Sequence, residues 1–67
     1  MAISMTKANE GTWRVYNSEN EKLVRIQTQS FRHGKEYKIT SGGATIESGI
    51  ASFSEAKRIA YREVKRP

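Results

Sequence analysis

Apolar side chains recur at every second position through the middle of the sequence, and this alternation limits the chain to a sheet-forming fold. In the first such segment Trp13 and Val15 share one parity, whereas Arg14 and Tyr16 share the other. Because an extended strand directs successive side chains to opposite faces, the pattern predicts strands that bury one face. Turn-forming residues separate four segments of this kind, which are 11–16, 22–31, 36–40 and 44–48.

After these segments the spacing of apolar side chains changes to that of a helix. Ser52 precedes the run FSEAKRIAYREVKR, and Glu55 follows it by three positions, which is the spacing of a capping box. At about 100° per residue, one side of this helix is apolar and can cover one face of the sheet. The apolar positions are Phe53, Ala56, Ile59, Ala60 and Val64.

These patterns predict an α+β fold in which a meander of three or four antiparallel strands packs on one C-terminal helix. We expect a single small domain over residues 11–67, preceded by a flexible arm over residues 1–10, where Ile3 and Met5 give only a weak signal for a sheet edge. The predicted core comprises Trp13, Val15, Val24, Ile26, Tyr37, Ile39, Ile46, Phe53, Ile59 and Val64.

Two large apolar residues of the segment 22–31 have the parity of the solvent side. Leu23 and Phe31 alternate with the predicted core residues Val24 and Ile26 instead of sharing their parity. Three explanations are open at this point: a bulge in the strand, a strand end that twists off the sheet, or an exposed apolar contact.

Few side chains are available for catalysis or for metal binding. The 67 residues include no Cys and no Asp, and His33 is the only imidazole. The seven Glu are scattered among basic residues without metal-ligand spacing. We therefore predict no catalytic site, no metal and no cofactor.

The absence of Cys, of a signal-peptide pattern and of a long apolar run favours a cytoplasmic protein without a membrane segment.

The charge balance favours a polyanionic partner. The chain carries a formal net charge of +5 and has a pI near 9.9. If the Trp13 parity faces the helix, the opposite face of the sheet is basic and polar, and Lys and Arg can contact phosphates while Gln and Tyr contact bases. The predicted nucleic-acid-binding residues are Arg14, Tyr16, Arg25, Gln27 and Lys38, with Arg32 and Lys35 in the adjoining turn.

Two other interpretations of the charges remain open. A sheet covered on one side needs polar side chains on its solvated side in any case. The helix also presents a competing basic patch, which consists of Arg58, Arg62, Lys65 and Arg66, with Lys57 at its flank.

The ending SGIASFSEAKRIAYREV resembles the last strand and helix of the plant AP2/ERF domains and of the phage integrase arm-binding domains. The similarity covers about half of the chain at motif level and includes Phe53, Ser54, Glu55 and Ala56. It implies a three-stranded sheet followed by a helix, and DNA binding through the sheet. This role would carry over to the basic strand residues Arg14, Arg25 and Lys38.

The sequence therefore predicts a small protein that binds duplex DNA or RNA, with DNA favoured over RNA, through the basic face of its sheet. The alternative is a small phage-type protein that binds and inhibits or modulates a host protein complex, as anti-CRISPR inhibitors do. Such a protein would use Leu23, Phe31 or Tyr61 as exposed apolar anchors, or a free edge strand. A homodimer that pairs sheet edges is a further possibility.

Overall fold

The chain forms one five-stranded antiparallel sheet with a helix packed on one face, in a computed structural model that describes residues 2–66. The ends of the predicted arm and of the predicted domain, Met1 and Pro67, lie outside the described residues. The elements are β1 (Ile3–Asn9), β2 (Thr12–Asn17), β3 (Lys22–Phe31), β4 (Gly34–Ser41), β5 (Ala44–Ile50) and α1 (Phe53–Lys65). The strands follow one another in the sheet as they do in the sequence. The α+β class, the meander and the C-terminal helix are thus confirmed.

The sheet has one strand more than the three or four predicted. Ile3–Asn9 pairs with β2 as β1, so the prediction of an arm outside the sheet was wrong for these residues. Ile3 and Met5 are half-buried and pack against the core. With only these two large apolar residues, and a register shift between Lys7 and Asn9, the strand has too short an alternation to be recognised from sequence.

The hydrophobic core lies between the sheet and the helix. Ile26 is fully buried at its centre and faces Trp13 on β2 and Ile39 on β4. Trp13 is itself half-buried, and its ring packs on that of Phe53 with 4.6 Å between centroids. The buried hydrophobic residues of the described chain are Val15, Val24, Ile26, Ile39, Ile50, Ala56, Ile59, Ala60 and Val64.

The core differs from the prediction at β5. Ile46 was expected to be buried but is 38% exposed, and Ile50 is buried instead. The register between β4 and β5 shifts next to Ile39, which pairs with Glu47 while Thr40 pairs with Thr45. The shift leaves Ile46 without a pairing partner on β4, so the simple alternation on which the prediction rested does not hold there.

Both ends of the helix are capped by side chains. The hydroxyl of Ser52 accepts a hydrogen bond of 3.1 Å from the Glu55 amide, which confirms the predicted N-cap. At the other end, the side-chain amides of Asn17 and Asn20 each donate to the Val64 carbonyl at 2.9 Å. The turn between β2 and β3 therefore holds the C-terminal end of the helix against the sheet. Among residues 2–66 there is no helix with the length and apolar character to cross a membrane.

Candidate nucleic-acid interface

The face of the sheet that points away from the helix, called the outer face below, carries the basic strand residues predicted to bind nucleic acid. Arg14 lies directly opposite Arg25, and Gln27 lies opposite Lys38. Directly paired residues of antiparallel strands point to the same face, and alternation places Arg25 and Gln27 on one side of β3. All four side chains therefore share the outer face, where both arginines are exposed and Lys38 and Gln27 are half-buried.

Arg14 and Arg25 form a cross-strand pair of like charges. The Cβ atoms of directly opposed residues are about 4.5–5.5 Å apart, and side chains of like charge at directly opposed positions disfavour strand pairing. Within residues 2–66, neither guanidinium forms an ion pair or a side-chain hydrogen bond, and neither does the ammonium group of Lys38. Solvation alone requires only polar side chains on this face, not two cations in register, so the pair suggests an anionic ligand.

The other basic residues of the sheet lie at the turn between β3 and β4. Arg32 and Lys35 are both exposed there. Between them, the imidazole of His33 stacks on Phe31 with ring centroids 5.2 Å apart and an angle of 9° between the planes. The Nε2 atom of His33 is 2.7 Å from a carboxylate oxygen of Glu36.

Leu23 and Phe31 are apolar residues of the outer face and not parts of a bulge. The register between β3 and β4 is regular as far as Phe31 opposite Gly34, and Leu23 pairs directly with Tyr16. Tyr16, Leu23 and Phe31 are all exposed. The outer face is thus basic at its centre and apolar at both ends of β3. The parity of Leu23 and Phe31 alone had not decided between exposed apolar positions and a bulge.

The basic patch on the helix differs from the outer face in its acidic partners. Arg58 lies 3.8 Å from Glu55, and the Nε atom of Arg66 lies 3.4 Å from Glu63. The Lys57 ammonium group is 5.8 Å from the ring centroid of Tyr61. These contacts partly neutralise or occupy three of the five helix cations, whereas Arg62 and Lys65, like Arg14, Arg25 and Lys38 on the outer face, have no such partner in the described chain. The exposed residues of this helix patch are Lys57, Arg58, Arg62, Lys65 and Arg66.

The two basic surfaces lie on opposite sides of the molecule. The buried side of α1 contacts one face of the sheet, so its charged side points away from the outer face. A rigid ligand cannot contact both surfaces fully. Among the described residues, no group of three or more His, Cys, Asp or Glu side chains is placed to hold a metal ion.

Known proteins offer no guide to the use of these surfaces. Comparison with protein-family models gave no match, and comparison with curated proteins and with solved structures gave no significant match.

Proposed function

We propose that this chain binds duplex nucleic acid, with DNA preferred, and contacts the phosphate backbone through the outer face of its sheet. The observation that carries the proposal is the pairing of Arg14 with Arg25, neither of which forms an ion pair within residues 2–66. Such a pair costs some stability in the free protein, and a phosphate between the two guanidinium groups would remove that cost.

The spacing of the three outer-face cations suits a phosphate backbone. Arg14, Arg25 and Lys38 stand on three adjacent strands, and adjacent strands are about 4.8 Å apart. The cations therefore cover a width of roughly 10 Å, while duplex DNA carries one charge per about 1.7 Å of its axis. Gln27 beside Lys38 and Tyr16 beside Leu23 are the neighbouring side chains that can contact bases.

The resemblance of the C-terminal half to the AP2/ERF and integrase arm-binding domains supports the same surface, because DNA binding through the sheet is what that similarity implies. The five strands are more than the three of those domains. We therefore carry over only the use of the sheet and the basic positions Arg14, Arg25 and Lys38.

A pair of charge reversals on opposite sides of the molecule tests the proposal. Arg25→Glu changes the outer face, and Arg62→Glu makes the same change of charge on the helix patch. A hydrogen bond to a charged group contributes about 1.5–3 kcal/mol, so we expect Arg25→Glu to weaken binding of a labelled DNA duplex by about 10- to 150-fold. Arg62→Glu should weaken it much less.

Fluorescence anisotropy of labelled DNA and RNA duplexes measures these affinities, and circular dichroism verifies that both variants fold. A larger loss with Arg62→Glu than with Arg25→Glu would move the interface to the helix. Equal losses would show that only net charge matters. Tighter binding of the RNA duplex would reverse the preference for DNA.

A second candidate function is binding to a host protein complex, as proposed above for a phage-type inhibitor. It is favoured by the exposure of Leu23 and Phe31, whereas Tyr61 is half-buried. Among the described residues, the edge strands β1 and β5 also leave one side each without a partner strand, which would permit pairing with another chain or with a second copy. Analytical ultracentrifugation of the purified protein distinguishes a monomer from a homodimer.

A further inference from the structure

The end of the hairpin formed by β3 and β4 extends beyond the neighbouring strands. Pairing of β2 with β3 ends at Gln27, and pairing of β5 with β4 ends at Tyr37. From Gln29 to Glu36 the two strands pair only with each other. The segment 29–36, called the tip below, is therefore a two-stranded ribbon at one end of a molecule that measures 39 × 21 × 21 Å.

The tip carries a preformed aromatic surface. Phe31 is 47% exposed and the side chain of His33 is 65% exposed, although their rings stack nearly in parallel. The contact of the imidazole with Glu36 is compatible with this stacked position, and both rings keep exposed surface in the protein without a ligand. Arg32 and Lys35 flank the pair and are exposed. An aromatic surface between cations is the arrangement that binds nucleic-acid bases by stacking and the adjoining backbone by charge.

The tip and the basic centre of the outer face can contact one ligand. Phe31 has the parity of Arg25 on β3 and lies six positions further along the strand. At about 3.3 Å per residue this is roughly 20 Å along the strand, or about six steps of a nucleic-acid strand at 3.4 Å each. A duplex that lies on Arg14 and Arg25 with its axis along β3 would therefore reach the tip with bases about six steps away.

We propose that Phe31 stacks on an unpaired base, so that the ligand is a duplex that continues into a single strand. A paired base inside a duplex hides both of its faces, whereas a base of an overhang exposes them for stacking. The proposal rests on the function proposed above for the outer face, and it adds the structural class of the nucleic acid and the residue that selects it.

Binding of two DNA ligands tests the tip separately from the outer face. One ligand is a fully paired duplex, and the other has the same total length but ends in a single-stranded overhang. Stacking of a base on an aromatic side chain is expected to favour the overhang by about 5- to 150-fold. Phe31→Ala should remove this preference and leave the affinity for the paired duplex unchanged, while Phe31→Tyr should retain it.

Leu23→Ala serves as the matched control, because Leu23 is an exposed apolar residue of the same face at the other end of β3. We expect this variant to keep the preference for the overhang. A fluorescent base analogue in the overhang, whose emission falls on stacking, should be quenched by the wild-type protein and by Leu23→Ala but not by Phe31→Ala.

Equal affinity of the wild-type protein for both ligands would overturn the role of the tip and leave the outer-face proposal standing. A preference that survives in Phe31→Ala would also overturn it. Conversely, Phe31-dependent binding of the overhang ligand without any binding of the paired duplex would support stacking at the tip and contradict the outer-face proposal. A protein that binds neither ligand would contradict both.

Discussion

At the scale of single residues, Arg14 and Arg25 lie where the proposed binding of phosphate and the stability of the free protein would oppose each other. The two residues lie opposite one another on β2 and β3, and neither has an acidic partner in the described part of the chain. Like charges on directly paired residues destabilise a strand pair, whereas a pair of unlike charges stabilises it by roughly 0.2–1 kcal/mol.

We therefore predict that Arg25→Glu raises the free energy of unfolding by up to about 1 kcal/mol while it weakens nucleic-acid binding. Urea unfolding followed by circular dichroism measures the change in stability. The gain should shrink at high salt, because the pair is exposed to solvent and its charges are screened.

The double variant Arg14→Glu/Arg25→Glu is the control for this prediction. It restores a pair of like charges, so it should lose the gain in stability that Arg25→Glu provides. A single variant that is clearly less stable than the wild-type protein would show that Arg25 supports the fold, and its loss of binding would then say nothing about the interface.

The sequence predicted these residues but not their pairing. Alternation alone assigns Arg14 and Arg25 to the face opposite Trp13, because side chains of a strand alternate with a period of two. Which residues stand opposite each other depends on the turn between β2 and β3, where Glu21 adopts a φ of 59°. The stack of Phe31 on His33 likewise depends on how the next turn folds. In the sequence, the parity of Phe31 was the only sign of an exposed aromatic residue at this position.

At the scale of elements, the turn between β2 and β3 determines how the helix is held on the sheet. Asn17 is 5% exposed, and its side chain both donates to the Val64 carbonyl and accepts from the Glu19 amide at 3.0 Å. Asn20 makes a similar pair of contacts in a more exposed position. The sequence marks these asparagines only as turn formers, since their bonds to the helix span more than 40 residues.

We predict that Asn17→Ala lowers the free energy of unfolding by about 1–3 kcal/mol, because it leaves buried backbone groups with fewer hydrogen-bond partners. Asn20→Ala should cost less, as its site is more accessible to water. Urea unfolding of the two variants measures both effects.

Asn9→Ala provides the comparison, because Asn9 is exposed on β1 and its side chain makes no hydrogen bond among residues 2–66. Surface substitutions of this kind usually change stability by no more than about 0.5 kcal/mol. If Asn17→Ala were as stable as Asn9→Ala, the turn would not hold the helix.

The helix was predicted more completely than the sheet, for a physical reason. Its signals are local: Ser52 and Glu55 stand within one turn, and the apolar stripe repeats along the helix itself. Strands are defined by pairing with partners that can be distant in sequence. For this reason β1 was missed and Ile46 was assigned to the core, although the single alternation of β3 was sufficient to define that strand over its full length.

At the scale of the whole molecule, the fold separates two basic surfaces by a single hydrophobic core. One side of the protein is the outer face with the cations Arg14, Arg25 and Lys38, and the other side is the solvent-exposed surface of α1. Both surfaces could be predicted from the sequence as basic. Only the structure distinguishes them by their ion pairs, because the carboxylates of Glu55 and Glu63 lie beside arginines of the helix.

The salt dependence of duplex DNA binding tests the central claim most directly. If Arg14, Arg25 and Lys38 each contact a phosphate, the logarithm of the binding constant should fall against the logarithm of salt concentration with a slope of about −2.7. Participation of Arg32 and Lys35 would steepen the slope to about −4.5. Lys38→Gln removes one phosphate contact, so it should reduce the magnitude of the slope by about 0.9. Affinity that does not change with salt, or a slope unaffected by Lys38→Gln, would contradict phosphate binding by the outer face.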